Sequence, residues 1–236
     1  MTSGLWEAKE RNAVSTTKMK ELEDDGERLG ISKNLMMENA GSSIANFIFQ
    51  NSDQFNPIGA KRTIVLLVGG TGNNGGDVFV AARHLAYWTD FFQVSIALIG
   101  SEDDLKGEST KSNFNILKKL HSVEVFVVNS EAMLASFGDH LNKAHILVVG
   151  IFGTGFRGAI HGLPRQVIDM INERREAIKI SVDVPSGLEA DSGIASTVVL
   201  SDYTITMHAP KVGMFEVGNS KQICGRILVA NIGIPI

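Results

Sequence analysis

The sequence predicts an α/β fold: a Rossmann-like, doubly wound, mostly parallel sheet with helices on both faces, preceded by a two-helix prefix. Three observations predict it. From residue 63 onward, short apolar runs alternate with helical stretches, the pattern of βαβ units. Runs such as Ile64-Val-Leu-Leu-Val68 and Ile146-Leu-Val-Val149 are apolar without alternation, so both sides of each strand are covered. Gly-rich turns follow two of these runs directly, where open α/β sheets bind their ligands.

The elements follow in order. Residues 1–50 read as helical. Thr16 or Thr17 can cap a helix carrying Met19, Leu22 and Leu29, and Gly30 can end it. A second helix spans about 34–50, where Leu35, Met36, Ala40, Ile44, Ala45, Phe47 and Ile48 follow a helical repeat. Residues 51–61, with Pro57 and Gly59, form a polar connection. Strands are expected at 63–68, 93–99, 123–128, 146–151 and 178–182, with shorter ones at 203–207 and 226–230. Helices are expected near 75–88, 109–120, 131–141 and 163–172. No internal repeat, linker or low-complexity stretch interrupts the chain, so residues 1–236 are expected to form one domain.

Composition narrows the function classes. Apolar residues make up 44% and charged residues 20%, with a net charge of −4, which favours neither nucleic acid nor anionic membrane. The basic pairs Lys61-Arg62, Lys118-Lys119 and Arg174-Arg175 read as solvated element ends. The apolar runs are too short to span a bilayer, and the first twelve residues lack the apolar segment of a secretory signal. Cys224 is the one cysteine; it reads as a buried, inert thiol in a reducing compartment, and a cytoplasmic location is expected. The histidines show no zinc-ligand spacing, and neither a Gly-x-Ser-x-Gly elbow nor a Walker motif occurs.

Three loops carry candidate chemistry. Gly69-Gly-Thr-Gly-Asn-Asn-Gly-Gly-Asp77 follows a strand and opens a helix, whose N-terminal N–H groups can meet a phosphate. Asn73, Asn74 and Asp77 add oxygen groups that an ordinary dinucleotide fingerprint does not need; they can orient a polar ligand or coordinate a cation. In Phe152-Gly-Thr-Gly-Phe-Arg-Gly158, backbone N–H groups and Arg157 can meet an anion. In Ser181-Val-Asp-Val-Pro-Ser-Gly187, Asp183 stands at a strand end as a general acid/base or as a turn cap, and Ser186 can coordinate or hydrogen-bond. His208 reads as a satisfied polar group, and Lys211 as either a phosphate contact or a surface lysine.

In order along the chain stand Leu35-Met-Met-Glu-Asn-Ala-Gly41, Gly72-Asn-Asn-Gly-Gly-Asp77, Gly153-Thr-Gly155, Asp183-Val-Pro-Ser-Gly187 and Thr204-Ile-Thr-Met-His-Ala-Pro-Lys211. With these the chain resembles the NAD(P)H-hydrate epimerases, the family built on the YjeF N-terminal domain, from about residue 16 to 235. The resemblance implies a Rossmann-like homodimer that interconverts the R and S forms of hydrated NADH and NADPH. It implies substrate contacts at Asn73, Asn74, Gly75, Gly76 and Asp77, at Gly153, Thr154, Gly155, Phe156, Arg157, Gly158 and Ala159, and at Asp183. Asp183 is the expected catalytic residue, protonating the departing C6 hydroxyl and serving as base for returning water. The resemblance also implies a potassium ion held by Asn74 and Ser186. Two positions depart from the family pattern: Val149 stands where relatives place a third, acidic potassium ligand, and Val78 stands where they place glycine. Many relatives carry a dehydratase as a C-terminal domain; this chain stops at Ile236, so a separate dehydratase is the expected partner. The rival reading is a dimerising or nucleotide-binding scaffold of the same fold. A dehydrogenase fits less well, because Glu102 comes late for the ribose-binding acid.

Overall fold

The computed structural model describes residues 4–216, 218 and 220–235. Its centre is one eight-stranded sheet of order β1-β8-β7-β6-β5-β2-β3-β4. The strands are β1 (Leu5–Glu7), β2 (Thr63–Gly69), β3 (Phe92–Ile99), β4 (Val123–Val128), β5 (Ile146–Gly150), β6 (Ile178–Val182), β7 (Tyr203–Met207) and β8 (Arg226–Ala230). All neighbours pair in parallel except β1, which lies antiparallel to β8 with Leu5 opposite Ala230. The chain lays down β2, β3 and β4 in one direction, then returns to place β5 on the other side of β2. That reversal opens a crevice at the C-terminal ends of β2 and β5.

Helices cover both faces, as the apolar strands require. On one face α2 (Lys33–Gln50), α4 (Asn73–Leu85) and α5 (Glu108–Leu117) bury Ile44, Phe79 and Phe114 against Val65, Leu67 and Ile96. On the other, α6 (Leu134–Lys143) and α7 (Gly162–Glu173) bury Phe137, Leu141, Val167 and Ile171 against Leu66, Val68 and Leu147. Alternate residues of β2 thus feed opposite layers. A third cluster of Val184, Leu188, Ala190, Met214 and Cys224 packs beneath the segment after β6. Burial there pushes the Cys224 thiol up to about 12, which keeps it protonated and inert.

The N-terminal prefix is α1 (Thr16–Arg28) and α2. Ser15, not Thr16 or Thr17, caps α1: its hydroxyl accepts from the Lys18 N–H at 3.1 Å. Thr16 is engaged elsewhere, through a bond to Asp191. Ser32 caps α2 in the same way, accepting from Leu35 N–H at 3.3 Å. α2 crosses α4 at Gly41, where any Cβ would overlap Val80. The polar connection after α2 contains a single helical turn, α3 (Ser52–Phe55), because Phe55 tucks into the core and stacks near Phe47 and Tyr203. Short helices α8 (Gly213–Glu216) and α9 (Ser220–Cys224) precede β8. Among the described residues, no helix is long and apolar enough to cross a membrane.

Candidate functional site

The first loop leaves β2 and turns into α4 at Asn73. Gly72 is the N-cap and supplies no side chain, so the first N–H groups of α4 keep their hydrogen-bonding capacity for a ligand. Gly75 presses against the Gly70 carbonyl, where a Cβ would overlap the oxygen. The next residue, Gly76, is buried against Met37 and Thr110. These two glycines bring the helix start down onto the strand end.

Asn74, 8% exposed, ties the three loops together. Its amide nitrogen donates to Phe152 O at 2.8 Å in the second loop and to Val182 O at 3.1 Å at the end of β6. Its Oδ1 is buried without a partner among the described residues. In the third loop the Ser186 hydroxyl accepts from Ile151 N–H at 3.1 Å and Phe152 N–H at 3.0 Å, and donates to Phe152 O at 3.1 Å.

Whether these residues suit a cation can be read from that arrangement. A buried, unpartnered amide oxygen is an acceptor awaiting a water or a positive charge. The Ser186 lone pairs, however, are already taken by two N–H groups. Val149, in the place of an acidic ligand, is fully buried among Leu66, Val68 and Ala97. The donor set therefore fits a water or a weakly held monovalent ion at Asn74 Oδ1, without the carboxylate that would offset an ion's dehydration.

At the end of β6 the chain turns sharply. Asp183 takes φ +64°, a left-handed conformation that Asp tolerates better than most residues. Its N–H donates to Ile205 O at 2.8 Å, fixing the turn on β7. Lys211, 1% exposed, places Nζ 2.5 Å from Asp183 Oδ1 and also donates to Thr206 Oγ1 at 2.9 Å and Met207 O at 3.0 Å. All three ammonium hydrogens thus have acceptors. Among the described residues, every side-chain hydrogen bond that Asp183 accepts lands on Oδ1. Oδ2 is left for whatever occupies the space above.

That space is a cavity of about 990 Å³. Asn73, Asn74 and Asp77 line it from the first loop, Gly153, Thr154, Gly155, Phe156 and Arg157 from the second, and Asp183 from the third. Gly75, Gly76 and Ser186 are buried behind the lining, while Gly158 and Ala159 are exposed and do not line it. The Arg157 guanidinium is engaged: it donates to Thr154 O at 2.9 Å, Phe156 O at 2.7 Å and Asp191 at 2.9 Å. It holds the second loop in shape and faces the cavity at the same time.

Lining residues that sequence reasoning passed over include Met19 and Glu23 from α1, Asp104 and Lys106 after β3, and Pro164 in α7. Met19 and Glu23 are spaced i, i+4, which puts them on one helix face; that spacing was the available signal. Lys211, left open between ligand contact and surface lysine, is in the lining and fully enclosed.

Four carboxyls, Glu23, Asp77, Asp104 and Asp183, line the cavity with three cations, Lys106, Arg157 and Lys211, of which Lys211 alone is buried. Burial, followed by the Asp183 and Glu23 charges, raises Asp77 well above the usual carboxylate range against a smaller pull from Lys211. Water reaches Asp77 through the cavity mouth, yet protein surrounds it on the other sides. Burial and Asp183 raise Glu23 as well. Burial, then Lys211, lowers His208, which keeps it neutral and in the background.

Comparison with known proteins agrees with this architecture. The model of the family described as "YjeF-related protein N-terminus" matches residues 33–213. An NAD(P)H-hydrate epimerase of Cenarchaeum symbiosum is 34% identical over 223 residues, covering 94% of this chain and 95% of the relative. A protein of the same name from Nitrosopumilus maritimus is 31% identical with the same coverage. A bifunctional NAD(P)H-hydrate repair enzyme of Moorella thermoacetica is 38% identical over 204 residues, which span 85% of this chain and 36% of that longer protein. The crystal structure of a yeast protein superposes with a TM-score of 0.74 at 23% identity, covering 93% of this chain and 86% of that one, and so shares the fold. The chain belongs to the family of YjeF-related N-terminal domains.

Proposed function

We propose that this protein is an isomerase that interconverts the R and S forms of hydrated NADH and NADPH. The observation that carries the reading is the Asp183–Lys211 pair at the cavity floor, in a chain 34% identical along almost its whole length to a protein named for that reaction. The dinucleotide's phosphates fit the open N-terminus of α4, with Asn73 beside them. The hydrated ring then reaches the floor of the cavity, where Asp183 stands.

The hydroxyl on C6 of that ring must leave one face and return on the other. Its departure as water leaves a cation stabilised by the ring nitrogen, and an anionic carboxylate beneath it lowers the energy of that cation. Lys211 holds Asp183 in one orientation through Oδ1, so Oδ2 can exchange a proton with the C6 oxygen. A monovalent ion or water at Asn74 Oδ1 would fix the side-chain amide whose nitrogen donates to the Phe152 and Val182 carbonyls; a bound ion would add positive charge beside the second loop. The homodimer and the dehydratase partner that the resemblance implies belong to the same proposal.

One experiment tests it. A single pure epimer is mixed with the protein, and the epimer ratio is followed by chromatography. Equilibrium is expected well ahead of the buffer control, and Asp183→Asn is expected to lose about 10²–10⁴-fold in turnover with the fold intact. A rate equal to buffer at micromolar protein, with and without potassium, favours the scaffold reading instead.

A further inference from the structure

Epimerisation poses a geometric problem that one fixed carboxylate does not solve. The hydroxyl leaves one face of a flat ring, and water adds to the other. Asp183 cannot swing between faces: Lys211 clamps Oδ1, and the backbone turn is fixed by the bond to Ile205. A second proton carrier is needed, from a different part of the cavity.

We propose that Asp77 is that carrier: Asp77, in α4, supplies the proton on one face of the ring, while Asp183, at the end of β6, accepts it on the other. This rests on the epimerase reading. The two residues stand on elements rooted in β2 and β6, with β5 between them in the sheet. Both carboxyls line the same cavity, Asp77 from the first turns of α4 and Asp183 from the turn after β6. Asp77 lines the cavity and accepts no side-chain hydrogen bond among the described residues. Its surroundings also fit. Asp183 faces it from the third loop, Glu23 from α1 and Lys211 from the segment after β7, with Asp104 and Lys106 at the rim. The side chains that α2 and α5 pack on this turn, Met37, Thr110 and Asn113, do not titrate. Burial, then the charges of Asp183 and Glu23, outweigh the pull of Lys211 and raise Asp77 above the usual carboxylate range.

The step balances. The Asp77 carboxyl gives its proton to the C6 hydroxyl. The C6–O bond breaks with its electron pair leaving on water, and the ring nitrogen's lone pair fills the vacancy. A second water forms a new C6–O bond on the opposite face and surrenders its proton to Asp183. Asp77 is now anionic and Asp183 neutral; cavity water returns the proton, or the reverse reaction uses the pair as it stands.

Three variants and one spectrum test this. Wild-type turnover should fall on the alkaline side as Asp77 loses its proton. Asp77→Asn should lose about 10²–10⁴-fold in kcat, with KM moved far less, and its residual activity should lack the alkaline limb. Asp77→Glu should restore part of the rate and the limb, which a packing role would not do. Glu23→Gln should keep the limb. Carbon NMR of the labelled carboxyls should show Asp77 protonated above the usual carboxylate range, and this reading holds even if a variant fails to fold. An Asn variant with full kcat, a limb that follows Glu23 instead, or an Asp77 ionised in the ordinary range overturns the proposal. Wild-type protein that leaves the epimer ratio at the buffer rate overturns the epimerase reading itself, whatever Asp77 does.

Discussion

Val149 and Asn74 show how one side chain resets what its neighbours can bind. Val149 belongs to the core beneath α6 and α7 with no exposed surface, while the Asn74 amide nitrogen occupies the space between two carbonyls. Val149→Asp would place a carboxylate among aliphatic side chains. An unpaired buried charge costs about 3–5 kcal/mol, so the melting temperature should fall. A cation bound beside that carboxylate would offset part of the loss, because a ligand stabilises the state it binds. Potassium should therefore raise the melting temperature of the variant more than that of the parent, measured against choline at equal ionic strength. Equal responses would show that Val149 is too far from Asn74 Oδ1 to build an ion site, and tight potassium binding by the parent would contradict the account from the other side.

Among the elements, the α2–α4 crossing is the least forgiving. Gly41 lets the helices approach until Val80 fills the space a Cβ would need. Gly41→Ala should cost about 1–3 kcal/mol by overpacking, read as a lower denaturation midpoint with an unchanged slope. The start of α4, and so the first loop, shifts with that helix. Most elements were legible because their signals are local: β2 and β5 are unbroken apolar runs, and α2 repeats its apolar face. The misses have non-local causes. β1 is a three-residue edge strand that exists only because β8 offers it a partner. α3 forms where Phe55 finds Phe47 and Tyr203, across the chain. Thr16 looked like a cap, and Asp191 claims it. At the site, the motif loops could be read because glycine, asparagine and aspartate cluster there. For Glu23 the only signal was its i, i+4 spacing from Met19, which groups the two on one helix face but does not say that this face meets the cavity.

The whole molecule is closed by a network between distant segments. Asp191 accepts from Thr16 N–H at 2.7 Å and Thr16 Oγ1 at 2.5 Å, and from Arg157 at 2.9 Å. Three segments that share no strand are joined at one carboxylate. Both charged partners are more than a third exposed, so the ion pair itself adds little to stability; its effect is on which parts stay together. Asp191→Ala should leave the sheet's amide protection unchanged and speed exchange in α1 and in the second loop, as hydrogen exchange followed by mass spectrometry would show. Uniformly faster exchange, or none, would place the coupling elsewhere.

The same network has a consequence for how the protein is made. Thr16 and Asp191 are 175 residues apart in the chain, and Lys211, which pairs with Asp183, comes later still. Synthesis delivers the N-terminal helix first. The contacts that tie this helix to Asp191 and that cover Met19 and Glu23 across the cavity come from segments synthesised much later. Contacts at such separations also slow the final closure. The cavity cannot be complete before Lys211 emerges: a nascent chain still holding Lys211 inside the ribosome has the residues of its first loop but lacks the ammonium that pairs with Asp183.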